Sequence, residues 1–244
     1  MQPVSDTTSA TTSSGAQQPT VVLVHGAWAD GSTWSRLIAL LQEKGVNVVA
    51  VQNPLTSLAD DISTTRRALD NLQGPVVLVG WSYGGAVITE AGQNDKVKAL
   101  VYVAAFAPSE GMSVSETAKD YPPPSGFSHV QADKEGFLTL TLEGVQQHLA
   151  QDIPPEQTRV IFATQHPTHA SSFDGKVSTA AWATKPSWYV VSEQDRMVQP
   201  DLQAAMARKI SATVTTLQAG HAPHISQTAE VAKVIFGAIA HVAK

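Results

Sequence analysis

From Pro19 onward, short apolar runs alternate with stretches whose apolar residues recur at helical spacing. The runs Val21 to Val24, Val46 to Val51, Val76 to Val79, Leu100 to Val103, Ser187 to Val191 and Val214 to Leu217 are rich in β-branched residues. Their continuously apolar character predicts strands covered on both faces of a sheet. Between them, Thr33 to Lys44, Leu58 to Leu72, Gly84 to Gly92, Leu202 to Ile210 and Ala229 to Val242 carry the helical pattern. This alternation predicts an α/β fold, with a mainly parallel sheet of six strands and crossover helices on both faces. No internal repeat interrupts it.

The rhythm stops across residues 108–185, where Pro122-Pro123-Pro124, Pro154-Pro155 and short amphipathic pieces such as Val145 to Leu149 replace it. A connection of that length between two core strands predicts a partly helical cap insertion. It should lie over the C-terminal edge of the sheet, where open parallel sheets bind ligands. An excursion with a purely stabilising role is the alternative.

The 244 residues, 43% of them hydrophobic and 15% charged, suit one domain with a sizeable core. That domain is expected over residues 20–244, preceded by a disordered arm over residues 1–19, in which eight residues are Ser or Thr and Asp6 is the one charged side chain. The arm fits either a tether left by signal-peptide removal, hence a periplasmic or secreted protein, or the native start of a cytoplasmic one. A net charge of -5 with scattered Lys and Arg supplies no basic footprint for nucleic acid or an anionic membrane. The absence of cysteine excludes disulfides, a thiolate nucleophile and Cys-based metal sites.

The candidate chemistry centres on Gly80-Trp81-Ser82-Tyr83-Gly84-Gly85, a G-x-S-x-G pattern placed where a strand turns into a helix. A serine on so sharp a turn is held in a strained conformation with its hydroxyl exposed at the strand end, so Ser82 is the candidate nucleophile. Glycine-rich turns at this position also bind phosphates, and the neighbouring residues must decide between the two uses. His25-Gly26-Ala27-Trp28 follows the first strand. A turn there can aim the Ala27 amide across the sheet to complement that of Tyr83 in an oxyanion hole, with His25 itself serving structure. Asp195 follows the fifth strand and lies further past its end than Glu193; His221 follows Gly220 after the last strand. Pro223 fits the start of the next helix, which draws His224 toward packing and leaves His221 as the base.

The order Ser82, Asp195, His221 is that of nucleophile, acid and base in the α/β-hydrolase superfamily, which the chain resembles from about Thr20 to its end. Val22-Leu23-Val24-His25-Gly26-Ala27-Trp28, Asn53-Pro54-Leu55, Gly80-Trp81-Ser82-Tyr83-Gly84-Gly85 and Tyr102-Val103-Ala104-Ala105-Phe106-Ala107-Pro108 are similar to small bacterial hydrolases related to plant methyl esterases and hydroxynitrile lyases. Such relatives usually carry histidine before the nucleophile, where this chain has Trp81; tryptophan there also occurs in polyester-cleaving relatives. The resemblance implies hydrolysis of small-molecule carboxylic esters through an acyl-enzyme, with neither metal nor organic cofactor. Two other readings stay open. The similar plant-type hydroxynitrile lyases place lysine after the catalytic histidine, where this chain has Ala222, and a ligand-binding homologue would keep the fold without turnover.

Trp28, Tyr83, Phe106, Phe127 and Phe137 either line a substrate pocket or pack in the core. His166 and His169 have a spacing compatible with a metal pair, but Pro167 between them and the lack of an adjacent carboxylate favour loop histidines.

Overall fold

The computed structural model describes residues 18–243; most of the arm expected over residues 1–19 lies outside them. Nine strands form: β1 (Thr20–Val24), β2 (Val48–Val51), β3 (Val76–Trp81), β4 (Val97–Val103), β5 (Val130–Ala132), β6 (Phe137–Leu140), β7 (Thr168–His169), β8 (Ser187–Ser192) and β9 (Thr213–Leu217). Six of them make a parallel sheet in the order β2-β1-β3-β4-β8-β9, with Val22 opposite both Val49 and Leu78 and Tyr102 opposite both Gly80 and Tyr189. The central strands β1 and β3 are buried along their whole length, as continuously apolar runs require.

The helices are α1 (Ser35–Glu43), α2 (Leu58–Asp70), α3 (Gly84–Ala91), α4 (Val114–Ala118), α5 (Leu142–Gly144), α6 (Pro155–Ala163), α7 (Pro200–Lys209), α8 (Pro223–Ser226) and α9 (Thr228–Val242). Their starts carry recognisable chemistry. Ser57 accepts from Asp60 N ahead of α2, and Ser113 and Glu116 form a capping box at α4. Proline opens α6, α7 and α8, where a missing N–H costs nothing. Among the described residues, no helix is long and apolar enough to cross a membrane.

Two strand starts differ from the expected ones by two residues or more, for local reasons. The run beginning at Val46 becomes a strand only at Val48, because Gly45 at φ 75° closes α1 and Val46 N–H still donates to Leu41 O at 3.1 Å. Strand β4 starts at Val97, three residues early, since exposed Lys98 interrupts an otherwise buried run.

Between β4 and β8 the chain is partly helical, and it also builds a second, antiparallel sheet, β5-β6-β7, that apolar periodicity did not announce. This segment reaches the loops at the C-terminal ends of the main strands: Thr168 Oγ1 accepts from Trp28 N–H at 3.0 Å, and Gly126 N–H donates to Arg196 O at 2.9 Å.

Candidate active site

Strand β3 runs into α3 through Ser82, whose φ of 54° lies in the left-handed region that side chains normally avoid. The surroundings over-determine this strain. Ser82 N–H donates to Val103 O at 3.2 Å, and Ser82 O accepts from Phe106 N–H and Gly85 N–H, each at 3.0 Å. The crowding also explains two glycines. A Cβ on Gly84 would stand 2.5 Å from Val24 O, and one on Gly85 would collide with Phe106 O, so α3 passes this close to β1 and β4 only without side chains.

The loops after β8 and β9 bring the other two groups to Ser82. His221 Nε2 lies 2.8 Å from Ser82 Oγ, and His221 Nδ1 lies 2.7 Å from Asp195 Oδ2. With Nδ1–H donating to the carboxylate, Nε2 is left as the acceptor for the serine proton. Asp195 is itself fixed on every side: Oδ1 accepts from Met197 N–H and Val198 N–H at 2.7 and 2.9 Å, and Oδ2 from Gln203 Nε2 at 2.7 Å. Gln203 in turn receives Ser192 N–H on Oε1 at 3.0 Å. The sequence reading passed over Gln203, although it is a polar residue within the buried Leu202, Gln203, Met206 and Ala207 stripe of α7.

Two other buried imidazoles, His25 and His224, are held by packing and hydrogen bonds away from Ser82. His25 Nδ1 donates to Gly26 O at 2.9 Å while Nε2 accepts from Asn53 N–H at 3.0 Å, and burial lowers its pKa to about 4. His224 stacks between Trp34 and Trp81, with ring centroids 4.5 Å from each, and meets Thr33 Oγ1 at 2.8 Å. Burial, reinforced by His221 nearby, lowers its pKa to about 3. Trp81, the departure before the nucleophile, donates its indole N–H to His221 O at 2.7 Å and thereby ties the base loop to the elbow. His169 Nδ1 meets Ser171 Oγ at 2.7 Å, and no group of three or more metal-binding side chains is found among the described residues.

Ala27 and Tyr83 are buried, and among the described residues no protein acceptor takes either N–H. Gly26 presses on the elbow, where a Cβ would come within 2.8 Å of Ser82 Cβ. The Tyr83 ring points away from the serine, donating from its hydroxyl to buried Asp61 at 2.7 Å and meeting Phe173 edge-on. Burial raises the Asp61 pKa to about 6.

A mostly apolar cavity of about 390 Å³ is lined by Trp28, Phe106 and Phe127 of the expected aromatics, and by Val114, Val130, Leu138 and Phe173. Phe137 corrects the expectation. Successive residues of a strand face opposite sides, so Leu138 enters the cavity while the Phe137 ring packs edge-on against His169 with centroids 5.1 Å apart. A larger groove of about 580 Å³ beside α2 contains the Arg66–Glu90 ion pair and is lined by none of the residues of the serine site.

Comparison with known proteins bears on the family and the fold. A probable hydrolase of Phoma sp. is 25% identical over 246 residues, covering 89% of this chain and 97% of the relative. A pyrethroid hydrolase of Sphingobium wenxiniae is 26% identical over 251 residues, covering 88% and 85%. The crystal structure of polyneuridine aldehyde esterase superposes with a TM-score of 0.78 at 20% identity, covering 91% of this chain and 99% of that one. Residues 21–234 match the sequence profile of the Alpha/beta hydrolase family, and the chain belongs to that family.

Proposed function

We propose that the protein hydrolyses carboxylic esters through an acyl-enzyme on Ser82. The observation that carries this reading is the continuous hydrogen-bonded relay from Ser82 Oγ to His221 and on to Asp195, at 2.8 and 2.7 Å. Relatives named as hydrolases and esterases support it. In the first half-reaction Ser82 Oγ attacks the carbonyl carbon as its proton passes to His221 Nε2, and Asp195 stabilises the resulting imidazolium. The carbonyl oxygen becomes an oxyanion facing the unpaired N–H groups of Ala27 and Tyr83, a pair of donors whose alignment is prepaid by the fold. Collapse of the tetrahedral intermediate expels the alcohol, which takes the proton from His221. Water then repeats the sequence on the acyl-serine, yielding the carboxylic acid and free Ser82.

The cavity lined by Trp28, Phe106, Phe127, Leu138 and Phe173 accommodates an apolar portion of the ester. The test is Ser82→Ala, assayed on p-nitrophenyl esters of graded acyl length. Turnover should fall by about 10⁵- to 10⁶-fold while the fold is retained, because only binding and the oxyanion donors remain. A phosphonylating reagent should label Ser82 in the unaltered protein. Wild-type turnover by Ser82→Ala, or an adduct mapped to another residue, would rule the mechanism out.

A further inference from the structure

The Asp195 carboxylate is fixed within the core, whereas the loops that carry Asp195 and His221 are both tied to the segment between β4 and β8. Asp195 is held by its own loop and by Gln203 of α7, all within the core. The His221 loop is held partly from the segment between β4 and β8. Gly220 N–H, in the Ala219–Gly220 peptide one residue before His221, donates to Asp152 Oδ2 at 2.8 Å, and the adjacent Gln151 donates from Nε2 to Gln194 O at 2.7 Å on the acid loop. Gln194 N–H in turn donates to Ala219 O at 3.0 Å, so Gln151 and Asp152 sit at the junction of the two loops.

A second, steric observation points the same way. A Cβ on Gly220 would lie 2.7 Å from Asp152 Oδ1 and 2.8 Å from Gln151 Oε1, so both side chains rest directly on this glycine. Their own backbone has little freedom. The π-helical turn Val145–Leu149 precedes them, Ile153 N–H returns to Ala150 O at 3.1 Å, and Pro154-Pro155 follows. Nearby contacts extend the connection, since Arg196 Nη1 donates to Gln147 O at 2.7 Å.

We propose that Asp152, assisted by Gln151, is a positioning residue that fixes the Ala219–Gly220 peptide, one residue before His221, and so aligns the imidazole between Ser82 and Asp195. The stretch of chain that contributes Phe127, Val130 and Leu138 to the cavity thereby also sets the base. This role rests on the esterase reading. Its signature is in turnover rather than affinity, because Asp152 touches neither Ser82 nor the cavity lining.

The test measures kcat and KM on one p-nitrophenyl ester, together with the low-field proton resonance of the His221 Nδ1–H···Asp195 bond. Asp152→Ala should lower kcat by about 10- to 100-fold, the scale of a sub-ångström to ångström misplacement, with KM within about twofold and the low-field resonance broadened. Asp152→Asn, whose amide oxygen still accepts from Gly220, should recover most of the turnover. Gly220→Ala, which forces the same contact apart from the other side, should reproduce the kcat loss. Unchanged kcat in both Asp152→Ala and Gly220→Ala would overturn the proposal, as would a loss confined to KM or a kcat loss with the resonance intact. Should Asp152→Ala not fold, Gln151→Ala and Gly220→Ala carry the same comparison. If the unaltered protein cleaves no ester, the esterase reading fails, while the resonance still decides the positioning role.

Discussion

The main sheet and the segment between β4 and β8 solve different problems with different materials. In the sheet, buried β-branched strands place short loops at one edge, and each side-chain N and O atom of Ser82, His221 and Asp195 has a hydrogen-bond partner. The segment instead uses short helices and strands of two to four residues, and leaves Phe127, Leu142, Val160 and Phe162 substantially exposed. Such apolar surface is costly unless something covers it in use. The contrast separates a densely hydrogen-bonded serine site from a more exposed, irregular wall, and substitutions in the two regions should therefore fail in different ways.

The deepest break should come from the base. His221→Ala removes the acceptor of the serine proton and should cut kcat by about 10⁵-fold or more, as loss of a relay histidine does elsewhere. His224→Phe, three residues away, keeps an aromatic ring between Trp34 and Trp81 and should retain most activity. Steady-state kinetics on the pair of variants would reverse the assignment if their effects were exchanged.

A smaller effect tests the join between elbow and base loop. Trp81→Phe preserves the ring against His224 but leaves His221 O without its donor, at a cost of about 1–3 kcal/mol in stability. The looser loop should lower kcat about tenfold with little change in KM, a near-attack geometry effect. Denaturant melts and kinetics on the same preparation would separate the two.

Selectivity should respond to the wall alone. Phe127→Ala and Leu138→Ala should change the ratio of kcat/KM for long over short acyl esters by about 3- to 10-fold, the range for losing part of an apolar contact. Phe137→Ala should leave that ratio unchanged, because its ring faces His169 instead of the cavity. A shifted profile for Phe137→Ala would show that the cavity extends through β6.

A different property, stability against pH, is expected to respond to the buried titratable groups. Folded His224 and His25 stay neutral to about 3 and about 4, whereas in the unfolded chain both protonate near 6.5. Their contribution is therefore complete above 6.5 and is lost as pH falls below it. Buried Asp61 acts in the opposite sense, taking up its proton near 6 when folded and only near 3.8 when unfolded. Between pH 6 and 4 these groups leave the unfolded chain holding about one extra proton, a loss of about 1.4 kcal/mol per pH unit. In urea melts across this range, His224→Phe should reduce the slope by about 1.4 kcal/mol per pH unit.

Much of the reaction centre was readable because parallel strands buried on both faces write themselves as unbroken apolar runs. Ser82, Asp195 and His221 each fall just past such a run, as do Ala27 and Tyr83. The antiparallel sheet was not readable. Strands of two to four residues, such as Thr168–His169 and Phe137–Leu140, are too short to establish a period, and the misassigned direction of Phe137 follows from that. Asp152 was invisible for another reason, since its partner Gly220 lies 68 residues away and neither residue has an unusual local context. Gln203 did leave a trace, a polar side chain in an apolar stripe, but its meaning depended on knowing where Asp195 would stand.

The position of β9 has a consequence for how activity is lost on heating. Among the described residues this strand pairs with β8 alone, much of its length is open to solvent, and His221 follows its end. Edge elements with few buried contacts open at lower free-energy cost than the centre of a sheet. Fraying there would carry the base away from a serine elbow that β1, β3 and β4 still hold intact. Thermal inactivation should consequently begin below the global melting transition and reverse on cooling, with the enzyme losing its proton acceptor before it loses its fold.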